Sequence, residues 1–207
     1  MTKVHPNAAV PDHELPRVAG CSCGGGEESA AVLTVWRKSL LFGCSGFTVF
    51  DAKGNLVFRV DVYGGSGSAG TLVLMDAAGK PLLTVRRKKL SLGENWAICN
   101  GEDVGDPLVS VKRHVNLRHS RALAHVTPCR RHGGGGVLVG GYEVEGSYSR
   151  RSCTVYDERR RAVAEIRRKE AVGGVAFGGD VFRLVVQPDF DTSLAMAILI
   201  VLDQMFR

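Results

Sequence analysis

One pattern, a strand followed by an aspartate, a turn and a second strand, occurs three times in this chain and constrains its fold. The three copies are GFTVFDAKGNLVFRVD (46–61), GTLVLMDAAGKPLLTVRRK (70–88) and SCTVYDERRRAVAEIRRK (152–169). In each copy an alternating apolar run leads to the aspartate, which is Asp51, Asp76 or Asp157. Period-two runs on either side of an Asp-x-x-Gly turn predict a β-hairpin. A chain that repeats a hairpin is expected to build an antiparallel sheet.

The third copy departs from the pattern at one turn position. Arg160 stands where the first two copies have Gly54 and Gly79. Glycine adopts the left-handed backbone conformation of such turns without steric cost, whereas arginine does not. We therefore expect the third turn to differ in detail from the other two.

The C-terminal segment predicts a strand and then an apolar helix. Val181–Gln187 has the pattern of a strand, Pro188 ends it, and the oxygens of Asp191-Thr-Ser (191–193) offer an N-cap. Leu194–Leu202 contains no polar residue, yet it is shorter than the ~20 residues that cross a bilayer. A helix that is apolar on every side must be surrounded by protein. Together with the hairpins it predicts a closed antiparallel β-barrel with this helix through its centre.

A coarse reading of the strand pattern agrees with a mainly β, twelve-stranded barrel. The twelve predicted strands are 32–36, 46–50, 56–62, 71–75, 81–85, 95–100, 108–112, 122–126, 137–144, 153–156, 163–167 and 181–187. Their spacing, with turn residues between them, is typical of an all-β barrel.

The first 31 residues differ in kind from the rest of the chain. They contain Pro6, Pro11, Pro16 and the segment CSCGGGEE (21–28), with no sustained periodicity. We interpret residues 1–31 as a disordered Gly- and Pro-containing tail and residues 32–207 as one barrel domain. The tail shows no secretory pattern, so an intracellular location is expected, in the cytoplasm, at the surface of a membrane or in the nucleus.

The six cysteines have no disulfide-framework spacing, so reduced thiols are expected. Cys21 and Cys23 are the only close pair. We interpret them as ordinary tail residues, with a metal half-site or lipid acylation as the alternatives.

Several motif-like strings do not support catalysis. Gly65–Gly70 satisfies G-x-G-x-x-G, but a predicted strand follows where a dinucleotide site needs a helix. HGGG (132–135) resembles an esterase oxyanion loop, but no G-x-S-x-G nucleophile elbow lies on a predicted strand-to-helix turn. The histidines show no paired metal spacing, and the repeated aspartates are explained by their turns. We therefore predict a protein that is not an enzyme and that has no cofactor and no metal.

Four segments of the chain resemble the plant LURP-one-related family. They are TVWRKSLLF (34–42), GFTVFDAKGNLVFRVD (46–61), GSYSRRSCTVYD (146–157) and VVQPDFDTSLAMAILIVLDQMF (185–206). They occur in the order and spacing of that family, and the match covers about residues 32 to 207. The family resembles the tubby C-terminal domain and the phospholipid scramblases, so the resemblance implies a twelve-stranded barrel around a hydrophobic C-terminal helix. The family's defence-associated members also imply a role in plant defence signalling.

Clusters of basic residues are the feature of the composition that points to a function. The formal net charge is +6, and the tail holds two basic and four acidic residues, so residues 32–207 carry +8. Two clusters occupy equivalent positions after the second strand of a repeat. The candidate lipid-binding residues are Arg86, Arg87, Lys88, Lys89, Arg167, Arg168 and Lys169. If the repeats were neighbours, these residues would form one basic rim that attracts anionic phospholipid headgroups, phosphoinositides by analogy with tubby.

The sequence leaves three functions open. The alternative interpretation is that the basic clusters are solvated strand ends that oppose aggregation and bind nothing. The first, which we favour, is non-enzymatic binding of anionic phospholipid at a membrane. The second is association with nucleic acid or transcription, but without a recognition helix or zinc finger no sequence-specific binding is expected. The third is scramblase-like movement of lipid, which needs a membrane-inserting segment. The predicted barrel encloses the only apolar helix, so no transmembrane span is expected. The sequence does not identify a protein partner.

Overall fold

The computed structural model describes residues 29–41, 45–63, 70–88, 93–102, 105–115, 121–129, 140–170 and 178–206. The strands are β1 Ala31–Trp36, β2 Gly46–Phe50, β3 Leu56–Tyr63, β4 Thr71–Asp76, β5 Pro81–Arg87, β6 Asn95–Asn100, β7 Val109–Arg113, β8 Ala122–Pro128, β9 Tyr142–Ser147, β10 Ser152–Tyr156, β11 Ala162–Arg168 and β12 Val181–Val186, and the helix is α1 Thr192–Met205. Each strand pairs antiparallel with its neighbours in sequence, and β1 pairs with β12 to close the barrel. The predicted twelve-stranded antiparallel barrel is confirmed.

The three sequence repeats are three hairpins with the same turn. They form the pairs β2–β3, β4–β5 and β10–β11. In each turn the N–H of the residue three positions after the aspartate donates to the aspartate carbonyl, at 3.2 Å for Gly54, 3.1 Å for Gly79 and 3.0 Å for Arg160. Each hairpin also shifts its register at the two residues before the aspartate. The repeat therefore encodes a β-bulge as well as a turn.

Arg160 makes the turn of the third copy in a left-handed conformation. Its φ is +62°, whereas Gly54 and Gly79 each have a φ of +86°. A non-glycine residue pays about 1–2 kcal/mol for this conformation. Its guanidinium reaches Glu143 at 3.1 Å and Glu145 at 2.9 Å on β9. The third turn thus keeps the hydrogen bonds of the other two, and the expected difference is limited to its φ and its side-chain contacts.

The helix α1 fills the barrel. Asp191 is its N-cap, and the Oδ1 of this residue accepts a hydrogen bond from the N–H of Leu194 at 2.6 Å. Every residue from Leu194 to Leu202 is buried, on all faces of the helix, which requires strands on every side. Burial of one such Leu or Ile side chain stabilises the fold by about 1.5–3 kcal/mol. Each strand contributes at least one inward side chain, among them Val35, Val49, Val60, Leu74, Val85, Ile98, Val111, Ala124, Val144, Val155, Ile166 and Leu184.

The barrel has two distinct ends. Because successive strands are antiparallel, all odd-numbered strands finish at one end and all even-numbered strands at the other. The end where even-numbered strands finish carries the three repeat turns and the start of α1, and we call it the turn end. The connections that follow β1, β3, β5, β7, β9 and β11 form the opposite end, which we call the basic end. The last turn of α1 lies there, since the Nη1 of Arg113 at the end of β7 is 3.4 Å from the carbonyl oxygen of Met205.

Candidate functional site

The two predicted basic clusters lie at the same end of the barrel but on opposite sides. Arg86-Arg87 ends β5 and Arg167-Arg168 ends β11. Both strands finish at the basic end. However, β11 is the sixth strand from β5 in either direction around the barrel. The clusters are therefore not neighbours and do not form one patch, and Lys89 lies outside the described residues.

Three residues of these clusters make contacts along the outer wall. The Arg86 Nη2 donates to the carbonyl oxygen of Gly105 at 3.1 Å, in the connection between β6 and β7. The Lys88 Nζ donates to the Oγ of Ser110 at 3.1 Å. The Arg167 Nε donates to Glu165 at 2.6 Å, so its charge is largely compensated.

Arg87 and Arg168 are the members of the two clusters that face solvent with their charge uncompensated. Both are exposed, and neither forms an ion pair with any residue in the described ranges. They share the register of the inward residues Val85 and Ile166, which places them at the mouth of the barrel. Lys169 is half-buried beside Arg168.

A third basic pair, Lys112-Arg113, ends β7 at the same end. The Arg113 guanidinium donates to Glu94 at 2.6 Å and lies 4.8 Å from the ring centroid of Phe206. A cation beside the last carbonyls of a helix is favourable by about 0.3–1 kcal/mol. Arg113 therefore secures the end of α1, while Lys112 is exposed.

A cavity of about 450 Å³ opens beside this third pair. Its lining residues are Gly93, Glu94, Lys112, Arg113, His114, Val115, Ala122, Leu123 and Phe206. The Nδ1 of His114 lies 2.9 Å from the Nε2 of His125 on β8. The cavity at the barrel mouth is thus lined by both cationic and apolar side chains.

The connections of the basic end carry an excess of positive charge. Within the described ranges they hold seven basic and three acidic residues, which are Arg37, Lys38, Lys88, Arg121, Arg150, Arg151, Lys169, Glu94, Glu170 and Asp180. The connections of the turn end hold five basic and seven acidic residues over the same ranges, which are Lys53, Lys80, Arg159, Arg160, Arg161, Asp51, Glu102, Asp106, Asp157, Glu158, Asp189 and Asp191. The basic pairs that end β5, β7 and β11 add further positive charge to the basic end. Charge is therefore distributed unevenly along the barrel axis.

Exposed apolar side chains are concentrated at the same end. Five of the six large exposed apolar residues in the described ranges lie there, and they are Trp36 (41 % exposed), Leu40 (55 %), Leu41 (46 %), Tyr63 (52 %) and Val115 (70 %). Sequence reasoning did not find this feature. The available signal was the string WRKSLL (36–41), which places two basic residues between apolar ones at the end of a strand.

Two arginines of the basic end serve the fold. Arg151 is buried, its guanidinium lies 4.3 Å from the ring centroids of both Tyr148 and Phe182, and its Nε donates to the carbonyl of Gly179. The Nε of Arg37 lies 3.6 Å from the buried Asp203 carboxylate. Their charges are used inside the protein and are not available to a ligand.

Cysteine and metal chemistry have little support in the described ranges. Burial raises the pKa of Cys153 to about 12, so its thiol stays protonated and is a poor nucleophile or ligand. No three His, Cys, Asp or Glu side chains come close enough to hold a metal ion in the part of the chain that the structure describes. The same ranges contain no helix with the length and apolar character of a bilayer span. Cys21 and Cys23, the alternative acylation site, lie outside the described residues.

Comparison with known proteins assigns this barrel to a family. The family model described as LURP-one-related matches residues 31–203. The chain belongs to the LURP-one-related family. Protein LURP-one-related 8 of Arabidopsis thaliana is 48 % identical over 100 % of this chain and 99 % of its own length. Protein LURP-one-related 5 of the same plant is 45 % identical over 87 % of this chain and 85 % of its own length.

A solved structure shares the fold. The X-ray structure of a protein from Arabidopsis thaliana matches with a TM-score of 0.61 and 26 % sequence identity, over 86 % of this chain and 93 % of that chain. The resemblance to the LURP-one-related family, inferred from four segments, is confirmed. The names of these relatives specify no lipid, activity or partner.

Proposed function

We propose that this LURP-one-related protein is a non-enzymatic barrel that binds anionic phospholipid membranes, phosphoinositide-containing membranes in particular, through its basic end. The observation that carries the proposal is the charge polarity of the barrel. Basic pairs end β5, β7 and β11, and all three face the same way along the barrel axis. Each Lys or Arg near an anionic membrane surface contributes about 1 kcal/mol of attraction.

Charge at one end sets the orientation of the bound protein. Five strands lie between β5 and β11 in either direction, so the exposed Arg87 and Arg168 lie across the barrel mouth from each other. A flat anionic surface contacts both at once, whereas a small soluble anion does not. The connections of the turn end, with more acidic than basic residues, are repelled by the same surface. The membrane, and not a single headgroup in solution, is thus the ligand that the geometry suits.

The two alternative functions have less support. Phosphates of nucleic acid attract the same cations without sequence preference, but they do not account for the apolar side chains beside those cations. Scramblase-like movement of lipid would use the apolar surface of α1, and that surface is enclosed on every face. A role of membrane binding in plant defence signalling rests on the family resemblance alone.

Vesicle sedimentation tests the proposal. The purified full chain is mixed with vesicles of phosphatidylcholine alone, of phosphatidylcholine with phosphatidylserine, and of phosphatidylcholine with a phosphoinositide at the same total charge. We expect binding to both anionic vesicles, tighter for the phosphoinositide, and a loss of binding as salt rises, since exposed charges are screened over ~8 Å at physiological ionic strength. Equal binding to neutral vesicles, or tighter binding to duplex DNA than to any vesicle, would overturn the proposal.

Two triple variants with the same change in net charge locate the site. The basic-end variant carries Arg87→Glu, Lys112→Glu and Arg168→Glu, because these exposed side chains make no ion pair within the described ranges. The turn-end control carries Lys53→Glu, Lys80→Glu and Arg159→Glu, which are also exposed. We expect the first to bind anionic vesicles at least about tenfold more weakly than the control. Equal losses in the two variants would show that net charge, and not the basic end, governs binding.

A further inference from the structure

Four exposed apolar side chains of the basic end come from the ends of two strands and from one connection. Trp36 ends β1, Leu40 and Leu41 follow it in the connection to β2, and Tyr63 ends β3. Both β1 and β3 pair with β2, so these residues flank the start of one strand. We call Trp36, Leu40, Leu41 and Tyr63 the apolar patch.

The connection after β1 is held in a conformation that turns its leucines outward. The neighbouring Ser39 is buried instead, and its Oγ donates to the Oδ1 of Asp61 on β3 at 2.8 Å. The same Oγ accepts a hydrogen bond from the N–H of Leu41 at 3.0 Å. On the other side, the Oγ1 of Thr48 on β2 donates to the carbonyl of Lys38 at 2.7 Å. A serine thus occupies the buried position, and two leucines occupy the surface.

In this connection a polar side chain is buried and two apolar side chains are exposed, which is the reverse of the usual arrangement. Leucine gains free energy when it leaves water, and a buried serine needs a hydrogen-bond partner. Single exposed apolar residues are ordinary, but several together mark a surface that meets another apolar phase. The hydrogen bonds of Ser39 hold the connection so that both leucines stay exposed. The free energy that burial of the leucines would provide is therefore not gained.

The chemistry around the apolar patch identifies that phase as a lipid bilayer. The Lys38 Nζ lies 5.2 Å from the ring centroid of Trp36, and the patch shares the barrel end with the basic strand ends. Tryptophan and tyrosine favour the boundary between acyl chains and headgroups. Lysine keeps its ammonium among anionic headgroups while its methylenes lie along apolar surface. Apolar and aromatic residues together with cations are the composition of an interfacial membrane anchor.

We infer that the apolar patch inserts into the headgroup and upper acyl region of an anionic bilayer when the basic end docks. This inference rests on the proposed function and adds a second, non-electrostatic component to it. In this arrangement Leu40 and Leu41 enter the acyl region, and Trp36 and Tyr63 lie at its boundary with the headgroups. The protein is thereby held at the membrane by burial as well as by charge.

Tryptophan fluorescence reports insertion directly. The chain has two tryptophans, of which Trp36 is in the patch and Trp96 is buried in the barrel. The Trp96→Phe variant leaves Trp36 as the only reporter, and Trp36→Phe is the matched control. Vesicles contain phosphatidylserine and phosphatidylcholine, with or without bromine on the acyl chains. We expect a blue shift and quenching of Trp36 by the brominated vesicles, and no quenching of Trp96 in the control.

Substitution of the leucines gives an independent measurement. We expect Leu40→Ser with Leu41→Ser to weaken vesicle sedimentation about tenfold or more and to remove the residual binding at high salt. Val32→Ser is the control, because Val32 is an exposed apolar residue at the turn end. Circular dichroism verifies that each variant is folded.

The outcomes separate this inference from the proposed function. Sedimentation with anionic vesicles but without quenching of Trp36 would overturn insertion and leave electrostatic docking standing. Failure to sediment with any anionic vesicle would overturn the proposed function itself. A dimer in solution that the two leucine substitutions dissociate would assign the patch to a second copy of this chain and overturn insertion.

Discussion

The hydroxyl of Tyr148 donates a hydrogen bond to the Oδ1 of Asp203 at 3.1 Å, across 55 positions of sequence. Tyr148 lies in the turn between β9 and β10, and Asp203 lies in the last turns of α1, where both are buried. The Nε of Arg37 is 3.6 Å from the same oxygen. A carboxylate inside a barrel is tolerated only where donors and a cation meet it. These contacts tie the end of the helix to the basic end of the barrel.

Removal of the Tyr148 hydroxyl should destabilise the protein in a pH-dependent way. At pH 7 we expect Tyr148→Phe to lower the free energy of unfolding by about 1–3 kcal/mol, since Asp203 loses a donor. Burial, then the charge of Asp203, raises the pKa of Tyr148 well above its usual value of 10.0. Above pH 10 the unfolded tyrosine therefore ionises while the folded one stays protonated, and its contribution to stability falls as pH rises.

Urea unfolding of the wild type and Tyr148→Phe from pH 7 to 11 measures this effect. The difference in free energy should shrink above pH 10. The pKa of Tyr142 is also raised by burial, but Tyr142 is present in both proteins and its effect is common to both curves. A difference that is constant across the whole range would contradict the prediction.

A charge in the middle of α1 should unfold the barrel. Ile198 is buried at the centre of the helix, and an unpaired buried charge costs several kcal/mol out of a typical total of ~5–15 kcal/mol. We expect Ile198→Asp to show no cooperative thermal transition by circular dichroism. The control Ile198→Val should cost only about 0.5–1.5 kcal/mol. A soluble Ile198→Asp protein that melts near the wild-type temperature would refute the enclosed position of the helix.

Two substitutions of Arg160 should separate backbone strain from side-chain contacts. Arg160→Ala and Arg160→Gly both lose the ion pairs with Glu143 and Glu145 and the contact with the Tyr156 ring at 4.5 Å. Only glycine also relieves the cost of a φ of +62°. We therefore expect the glycine variant to be more stable than the alanine variant by about 1 kcal/mol, measured by urea unfolding. Equal stabilities would show that the turn relaxes when its side chain is removed.

The boundary between tail and barrel stays a prediction that truncation can check. Deletion of residues 1–28 leaves β1, which begins at Ala31, complete. We expect the melting temperature to stay within a few degrees of the wild type, because the deleted segment has few apolar residues with which to dock. A much larger fall would mean that the tail packs on the barrel. In cells, a shift of Cys21→Ser with Cys23→Ser away from membranes would support acylation.

Local signals in the sequence determined most of the fold. The three hairpins follow from period-two runs around an aspartate turn, and their bulges recur at the same position because the repeats share one local pattern. The enclosed helix follows from Leu194–Leu202, where no face is polar. These signals span fewer than about twenty residues, so no knowledge of distant parts of the chain is needed to interpret them.

The candidate site was decided by tertiary structure. The repeats give Arg87 and Arg168 equivalent positions, but the order of the strands puts the two residues six strands apart, and that order is a property of the whole sheet. Likewise, nothing near Ser39 in sequence predicts that it is buried and that Leu40 is exposed, because the partner of Ser39, Asp61, lies 22 positions away. Local patterns of residues are enough to predict which segments form strands, turns and helix. Which charges and apolar side chains share one end of the barrel depends on strand direction and closure, and only the folded barrel decided that.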